Sequence, residues 1–227
     1  MTVARGRLVV FEGPEGAGKT TQLRLVGDWL AAHQLRITAV REPGGTALGN
    51  EIRHLLLEPG REMHARAEAL LFMASRAELI AQVVRPALER GELVCADRFF
   101  LSTYAYQVMG RGLSFDEVRA ANALATAGLV PDLTILLTVP AAIREARLVA
   151  RGSADRIESA GDAFHAIVER AFHDCALAGW QRAHPECGPI ASVDATGTEH
   201  EVLTRITGEL ASRLPELFPA RGDVARV

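Results

Sequence analysis

Eight consecutive residues, Gly13-Pro14-Glu15-Gly16-Ala17-Gly18-Lys19-Thr20, match the spacing G-x-x-x-x-G-K-[ST] in full. Each type has a task in holding phosphate. Glycines let backbone N–H groups close around phosphate oxygens, and a helix starting inside the loop adds positive potential. The lysine reaches the β- and γ-phosphates of a nucleoside triphosphate, and the threonine hydroxyl can ligate Mg²⁺. Lys19 is the only lysine among 25 basic residues, all the others being arginine. An unliganded Gly-rich turn would also fit the pattern, but it gives no reason for the lone lysine to stand there. The loop therefore indicates binding of a nucleoside triphosphate through residues 13–20 and is silent on the reaction. Glu15 would repel a triphosphate if aimed at it, so it points outward, either to solvent or to a second ligand with a hydroxyl to donate. Spacing does not choose between them.

Further residues carry chemistry. Leu93-Val94-Cys95-Ala96-Asp97-Arg98 ends an apolar run on an acid, as a second metal anchor beside Thr20 would, with Arg98 able to meet phosphate bidentately. An Asp capping the next helix, with its arginine solvated, fits equally well. Phe72 and Arg76 lie four apart on one helix face, where they can stack on a base and donate to its edge; plain core packing is the commoner fate of such a Phe. Arg144, Arg147, Arg151 and Arg156 fall within 13 residues, against about 1.4 expected from the chain-wide frequency. They are either a solvated helix face or cations that swing onto a phosphoryl group in flight.

The elements that must position these residues follow from hydropathy. Strand-length apolar runs at Leu8–Glu12, Arg36–Arg41, Leu93–Asp97, Asp132–Val139 and Ile190–Asp194 alternate with helical stretches, the pattern of a parallel sheet covered on both faces. Helices are predicted near Gly18–His33, Ala47–Leu57, His64–Glu89, Phe115–Ala127, Ala141–Ala150, Asp162–Ala183 and Glu199–Arg213, with capping boxes at Ser114/Glu117 and Thr198/Glu201. The 227 residues suit one domain over 1–214, with a tail from 215 to 227 expected to fray. The net charge of −3 gives no basic field for nucleic acid, and no run nears the ~18 apolar residues of a membrane span. Three cysteines without zinc spacing fit a reducing cytoplasm. A lone lysine at 19 also excludes the guanine-reading Asn-Lys-x-Asp element and the protein-kinase Val-Ala-Ile-Lys element.

Taken together, the loop, Arg41-Glu42-Pro43-Gly44-Gly45-Thr46, Leu71–Arg76 and Asp97-Arg98-Phe99-Phe100-Leu101-Ser102-Thr103-Tyr104-Ala105-Tyr106-Gln107 resemble the bacterial thymidylate kinases over about two-thirds of the chain. The resemblance implies an α/β, three-layer P-loop NTPase fold, with a five-stranded parallel sheet flanked by helices and a short lid near 144–160. It implies transfer of the ATP γ-phosphoryl group to dTMP, with Mg²⁺, in a homodimer. It also implies residue roles. Glu15 accepts from the deoxyribose 3′-hydroxyl. Phe72 stacks on thymine, Arg76 donates to a base carbonyl, and Thr103 and Gln107 complete the polar lining. Tyr106 fills the place of a ribose 2′-hydroxyl. Arg53 and Arg98 hold the acceptor phosphate, and Pro43 shapes the pocket floor after a candidate cis bond. Thr20 and Asp97 serve Mg²⁺. The catalytic cations are Lys19, Arg98 and, in the lid segment Arg151–Glu158, Arg151 and Arg156, with Gly152 and Ser153 allowing bending and Asp155 and Glu158 orienting. Phe99 departs from the tyrosine or histidine often found there.

Three rivals stay open on the residues alone: a kinase for another nucleoside monophosphate, a P-loop ATPase or switch, and a binding module without turnover. The apolar helix 64–89 offers either a dimer face or burial within one chain.

Overall fold

A computed structural model describes residues 5–152 and 155–218, apart from the side chain of Arg151. Five strands form one parallel sheet in the order β2-β3-β1-β4-β5: β1 (Arg7–Glu12), β2 (Ile37–Arg41), β3 (Leu93–Asp97), β4 (Leu133–Thr138) and β5 (Ile190–Asp194). All lie within the apolar runs the sequence marks, except that β1 begins one residue earlier, at Arg7. Their side chains are buried on both faces, except on the outer strands, because helices cover each side. One face buries Leu8, Val10, Val94, Ala96 and Leu136, and the other Val9, Phe11, Cys95, Ile135 and Leu137. That is the period-2 alternation of a strand, read twice.

Helices α1 (Lys19–Ala32), α2 (Ala47–Leu57), α3 (Ala65–Leu79), α4 (Arg85–Glu89), α5 (Phe100–Thr103), α6 (Phe115–Thr126), α7 (Ala141–Arg151), α8 (Asp162–Cys175), α9 (Ala178–Ala183) and α10 (Glu199–Arg213) connect the strands. The single helix expected over 64–89 is interrupted by a π-turn at Ile80–Val84. Pro86 has no N–H to close an ordinary turn, and the chain reaches it through a wider one. A second π-turn, Tyr104–Gly110, continues α5 through a stretch for which no helix was expected. The helix expected over 162–183 divides at Ala176–Leu177 into α8 and α9. Of the two capping boxes, Thr198 and Glu201 form theirs, whereas the Ser114 side chain caps nothing and Glu117 meets Arg66 instead. The tail is not loose from its start: Pro215–Leu217 form a 3₁₀ turn and Phe218 packs on Trp29 at 5.1 Å between centroids. Residues 219–227 lie outside the description.

The register sets up the site. β1 lies between β3 and β4, and Phe11 of β1 and Arg41 of β2 both stand opposite Asp97 of β3. The carboxyl ends of three strands therefore finish at one level, the edge where open α/β sheets place their ligands.

Candidate active site

At the end of β1 the backbone curls into an open cradle. Gly13 (φ +137°) and Gly16 (φ +75°) adopt conformations L side chains avoid, and a Cβ on Gly13 would fall 2.5 Å from the Leu137 carbonyl oxygen. A Cβ on Gly16 would fall 2.7 Å from Arg144 Cγ, so α7 lies directly on the loop. No side chain caps the N-terminus of α1 and no acid stands in its first turn, which leaves its positive end for an anion. Lys19 Nζ donates to the carbonyls of Gly13 and Pro14, both at 2.8 Å. Burial, with Arg98 adding repulsion, pulls the ammonium down to about 7. This is a buried cation short of negative charge.

Thr20 Oγ1 donates to Asp97 Oδ2 at 2.8 Å, which follows from the adjacency of β1 and β3. A hydroxyl and a carboxylate are hard oxygen donors, few in number, as suits Mg²⁺ that keeps most of its waters. Among the described residues no group of three or more His, Cys, Asp or Glu could cage a metal by itself. The donor set fits a metal shared with phosphate rather than a closed structural site.

The next turn is held by a residue the sequence reading passed over. Glu12, fully buried at the end of β1, accepts from the backbone N–H of Phe99 (2.7 Å) and of Ser102 (3.1 Å), and from Ser102 Oγ (2.6 Å). That clamp maintains Arg98 at φ +75°, a strained conformation for a non-glycine residue. Arg98 Nη1 then donates to Ser102 Oγ (2.8 Å) and to the Gly13 carbonyl (3.3 Å), so its guanidinium stands beside the cradle.

A cleft of about 910 Å³ runs from the cradle to the aromatic end of α3. It is lined by residues 15–20 and by Asp97, Arg98, Pro43, Arg53, Phe72, Arg76, Thr103, Tyr106 and Gln107. Every expected acceptor residue is therefore on one wall system. The Glu42–Pro43 bond is cis, and the Pro43 carbonyl accepts from Arg53 Nη1 at 2.9 Å. Burial, then Arg41, lowers the Arg53 pKa against the pull of Asp155 and Asp97. Glu15 Oε1 lies 3.4 Å from the Tyr106 hydroxyl and 3.9 Å from Arg98, while its Oε2 is buried with no partner. Burial raises its pKa against the pull of Arg98, and Glu158 and Asp155 add to the rise. Phe72 is half-buried: it packs on the core and also lines the cleft, so core packing does not take it away from the cleft.

Arg76 is locked in place. Its Nε donates to Glu42 (2.6 Å), Nη1 to Asn122, and Nη2 to the Phe99 carbonyl (2.9 Å), which leaves one N–H on each terminal nitrogen. Burial pushes the Glu42 carboxyl up to about 7 against the pull of Arg76.

The arginine cluster divides. Arg144 pairs with Glu169. Arg147 reaches the cradle, donating to the carbonyls of Gly16 (3.2 Å) and Ala195 (3.1 Å), and it lines the cleft near Gly197 and Val202. Arg156, expected beside the transferring phosphoryl group, is turned away from the cradle. It donates to the Leu56 carbonyl (2.6 Å) and to Glu68 (2.7 Å), because Glu68 is a buried carboxylate that draws cations to itself. Asp155 and Glu158 line the cleft, and Asp155 Oδ1 caps the N–H groups of Ile157 and Glu158. The Arg151 side chain and Ser153 lie outside the description. Nothing in residue spacing distinguished Arg147 from its neighbours. For Glu12 a signal existed: an acid closing a strand that both neighbouring strands bury.

The chain is similar to known proteins over most of its length. A family model described as thymidylate kinase matches residues 11–182. A thymidylate kinase of Deinococcus radiodurans is 43% identical over 211 residues, covering 93% of this chain and 99% of that one. One of Pseudomonas fluorescens is 43% identical over 96% of this chain and 99% of its own, and one of Gloeobacter violaceus is 51% identical over 72% and 78%.

Proposed function

The chain belongs to the thymidylate kinase family, which phosphorylates dTMP to dTDP with ATP, and on that premise we propose how its residues divide the work. The observation that carries the proposal is the continuity of one cleft from Lys19 and Thr20 to Phe72 and Gln107. Donor and acceptor occupy its two ends and meet at Arg98.

ATP phosphates rest in the Gly13–Thr20 cradle, with Lys19 regaining its full charge against them. The adenosine lies toward Arg147, Ala195 and Gly197, beside the Asp194–Thr196 segment. Thymine stacks on Phe72 over Pro43, with Arg76, Thr103 and Gln107 along its polar edge. Glu15 takes the 3′-hydroxyl through its unpartnered Oε2, and Tyr106, which leans on Glu15, closes the space at C2′. Arg53 and Arg98 hold the 5′-phosphate. Thr20 and Asp97 would hold Mg²⁺, which when bound neutralises charge on the phosphates.

In the reaction an oxygen of the acceptor phosphate forms a bond to the γ-phosphorus as the bond to the β-phosphate oxygen breaks, and ADP leaves. No general base is needed, since a phosphate monoester with its second pKa near ~6 is already ionised. What the protein supplies is placement of two polyanions and fixed positive charge between them. Lys19 and Arg98 are in place. Arg151 and Arg156 supply the lid's share, Arg156 after exchanging Glu68 for phosphate. The kinase domain spans 1–214. Leu70 of α3 and Leu124 of α6, both exposed on helices that pack together, favour a homodimer.

ADP release measured with dTMP, dUMP, dCMP and dGMP tests this placement. dTMP should lead the panel. Equal rates with all four, or ATP turnover undiminished without any acceptor, would overturn it.

A further inference from the structure

Gln107 lines the cleft beside Phe72 and Thr103, yet it is 2% exposed and its amide is not free to turn. Nε2 donates to Glu68 Oε1 at 3.2 Å. Glu68, on α3 and only 1% exposed, is in turn surrounded by cations. Arg111 donates to both of its oxygens, Nε to Oε1 at 3.1 Å and Nη2 to Oε2 at 3.2 Å. Arg156 Nη2 adds a bond to Oε2 at 2.7 Å. Burial alone would raise the Glu68 pKa, but the hydrogen bonds of Arg111 and Arg156 more than offset it and the net shift is downward. An ionised carboxylate has no proton to give. The only amide edge it can face is therefore the NH₂, and the Gln107 carbonyl must turn the other way, into the cleft. A flipped amide would set two oxygens against each other inside the protein.

We propose that Glu68 is a positioning residue for base selection, holding the Gln107 amide so that a carbonyl oxygen, never an NH₂, reads the base edge. This rests on the placement of thymine against Phe72 given above. The consequence is chemical. The N3 position of thymine or uracil carries a hydrogen and donates, whereas N3 of cytosine is a bare lone pair that a carbonyl oxygen repels. A glutamine free to flip would accept either base, because it offers a donor and an acceptor at nearly the same point. The anchoring carboxylate removes that freedom. Specificity then arises partly from the mismatch built against the wrong base. Glu68 touches no substrate, and it selects between bases only through Gln107; its bond to Arg156 bears on dTMP and dCMP alike and cancels in their ratio.

The test is a cycle of four proteins: wild type, Glu68→Gln, Gln107→Leu and the double variant. The quantity is the ratio of kcat/KM for dTMP to that for dCMP, at saturating MgATP. Glu68→Gln keeps the shape but replaces the anion with an amide that can pair with Gln107 in either orientation. It should lower the ratio by ~10-fold or more, chiefly by lowering the KM for dCMP, because a glutamine free to flip no longer sets its oxygen against the bare N3 of cytosine. In the Gln107→Leu background the same substitution should leave the ratio unchanged, because the group through which Glu68 acts is gone. A ratio within twofold of wild type in folded Glu68→Gln would overturn the proposal, as would an equal fall in both backgrounds, which would mark Glu68 as a scaffold residue only. If Glu68→Gln does not fold, Glu68→Asp retains the charge but withdraws it from Gln107, and it should lower the ratio in the same sense; an unchanged ratio there refutes the role. Gln107→Leu alone reports on the base placement. If it left the ratio intact, that placement would fall together with this inference, whereas a ratio lost in Gln107→Leu and kept in Glu68→Gln refutes Glu68 alone.

Discussion

Replacing Glu15 by glutamine separates the sugar contact from the rest of the site. Glu15 Oε2 is buried without a partner, and Oε1 has the Tyr106 hydroxyl at 3.4 Å and Arg98 at 3.9 Å. An orphaned buried carboxylate oxygen is costly, and a hydroxyl arriving there makes a hydrogen bond to a charged acceptor, worth about 1.5–3 kcal/mol. At ~1.4 kcal/mol per decade this is roughly 10- to 150-fold in affinity. Calorimetric titration with dTMP and with its 3′-deoxy analogue gives the contribution directly. Wild type should favour dTMP by a factor in that range, and Glu15→Gln should shrink the preference to about its square root, roughly 4- to 13-fold, since a neutral acceptor gives a bond roughly half as strong. The 3′-deoxy analogue also controls for Arg98, because any loosening of the phosphate grip in Glu15→Gln weakens both ligands alike. A preference for dTMP that survived the substitution undiminished would refute the assignment of Glu15 to the 3′-hydroxyl.

Lys19, held down to about 7 by burial, should take up a proton when a non-hydrolysable ATP analogue binds near pH 8. Binding enthalpies should then vary with the ionisation heat of the buffer, and Lys19→Met should abolish that variation; buffer-independent heats in wild type would contradict it. Apparent affinity for the analogue should fall as pH rises above 7, by at most about tenfold per unit. For folding without ligand the sign is opposite. Between about 7 and the unfolded value of 10.5 the unfolded chain binds the proton more tightly, so the contribution of Lys19 to stability rises with pH across that window. Arg76→Met should strip Glu42, Asn122 and the Phe99 carbonyl of their buried partner at once. Leaving a buried charge uncompensated costs about 3–5 kcal/mol, and at ~2–4 °C per kcal/mol for a chain of this size the melting temperature should drop by about 6–20 °C. Adding Glu42→Gln should restore part of the loss in thermal melts; an unaltered Tm in Arg76→Met would show that the pair carries no stability.

The sheet was legible because each strand is an unbroken apolar run, and the cradle because its spacing leaves few other uses for those residue types. The helix and π-turn from Phe100 to Gly110 were not, since Ser102, Thr103 and Gln107 are buried along the cleft and leave Phe99–Val108 no solvated face to betray a period. The interruptions at Ile80–Val84 and Leu177 turn on a single backbone hydrogen bond each, below the resolution of hydropathy. Among candidate site residues, the cradle was found by type and spacing and most of the acceptor lining of the cleft by the family resemblance. Those that hold other side chains, Glu12 under Arg98 and Glu68 behind Gln107, were not, because their partners lie 87 and 39 residues away. The orientation of Arg156 was not legible for the same reason: its direction is set by Glu68, 88 residues distant.

The most direct measurement is a crystal structure with dTMP and a non-hydrolysable ATP analogue bound together. Thymine should lie on Phe72, the 5′-phosphate on Arg53 and Arg98, and the triphosphate in the Gly13–Thr20 cradle, with the two phosphates facing each other across Arg98. Thymidine monophosphate found elsewhere on the surface, with the cleft between Phe72 and Arg98 vacant, would contradict the assignment of both ends of the cleft.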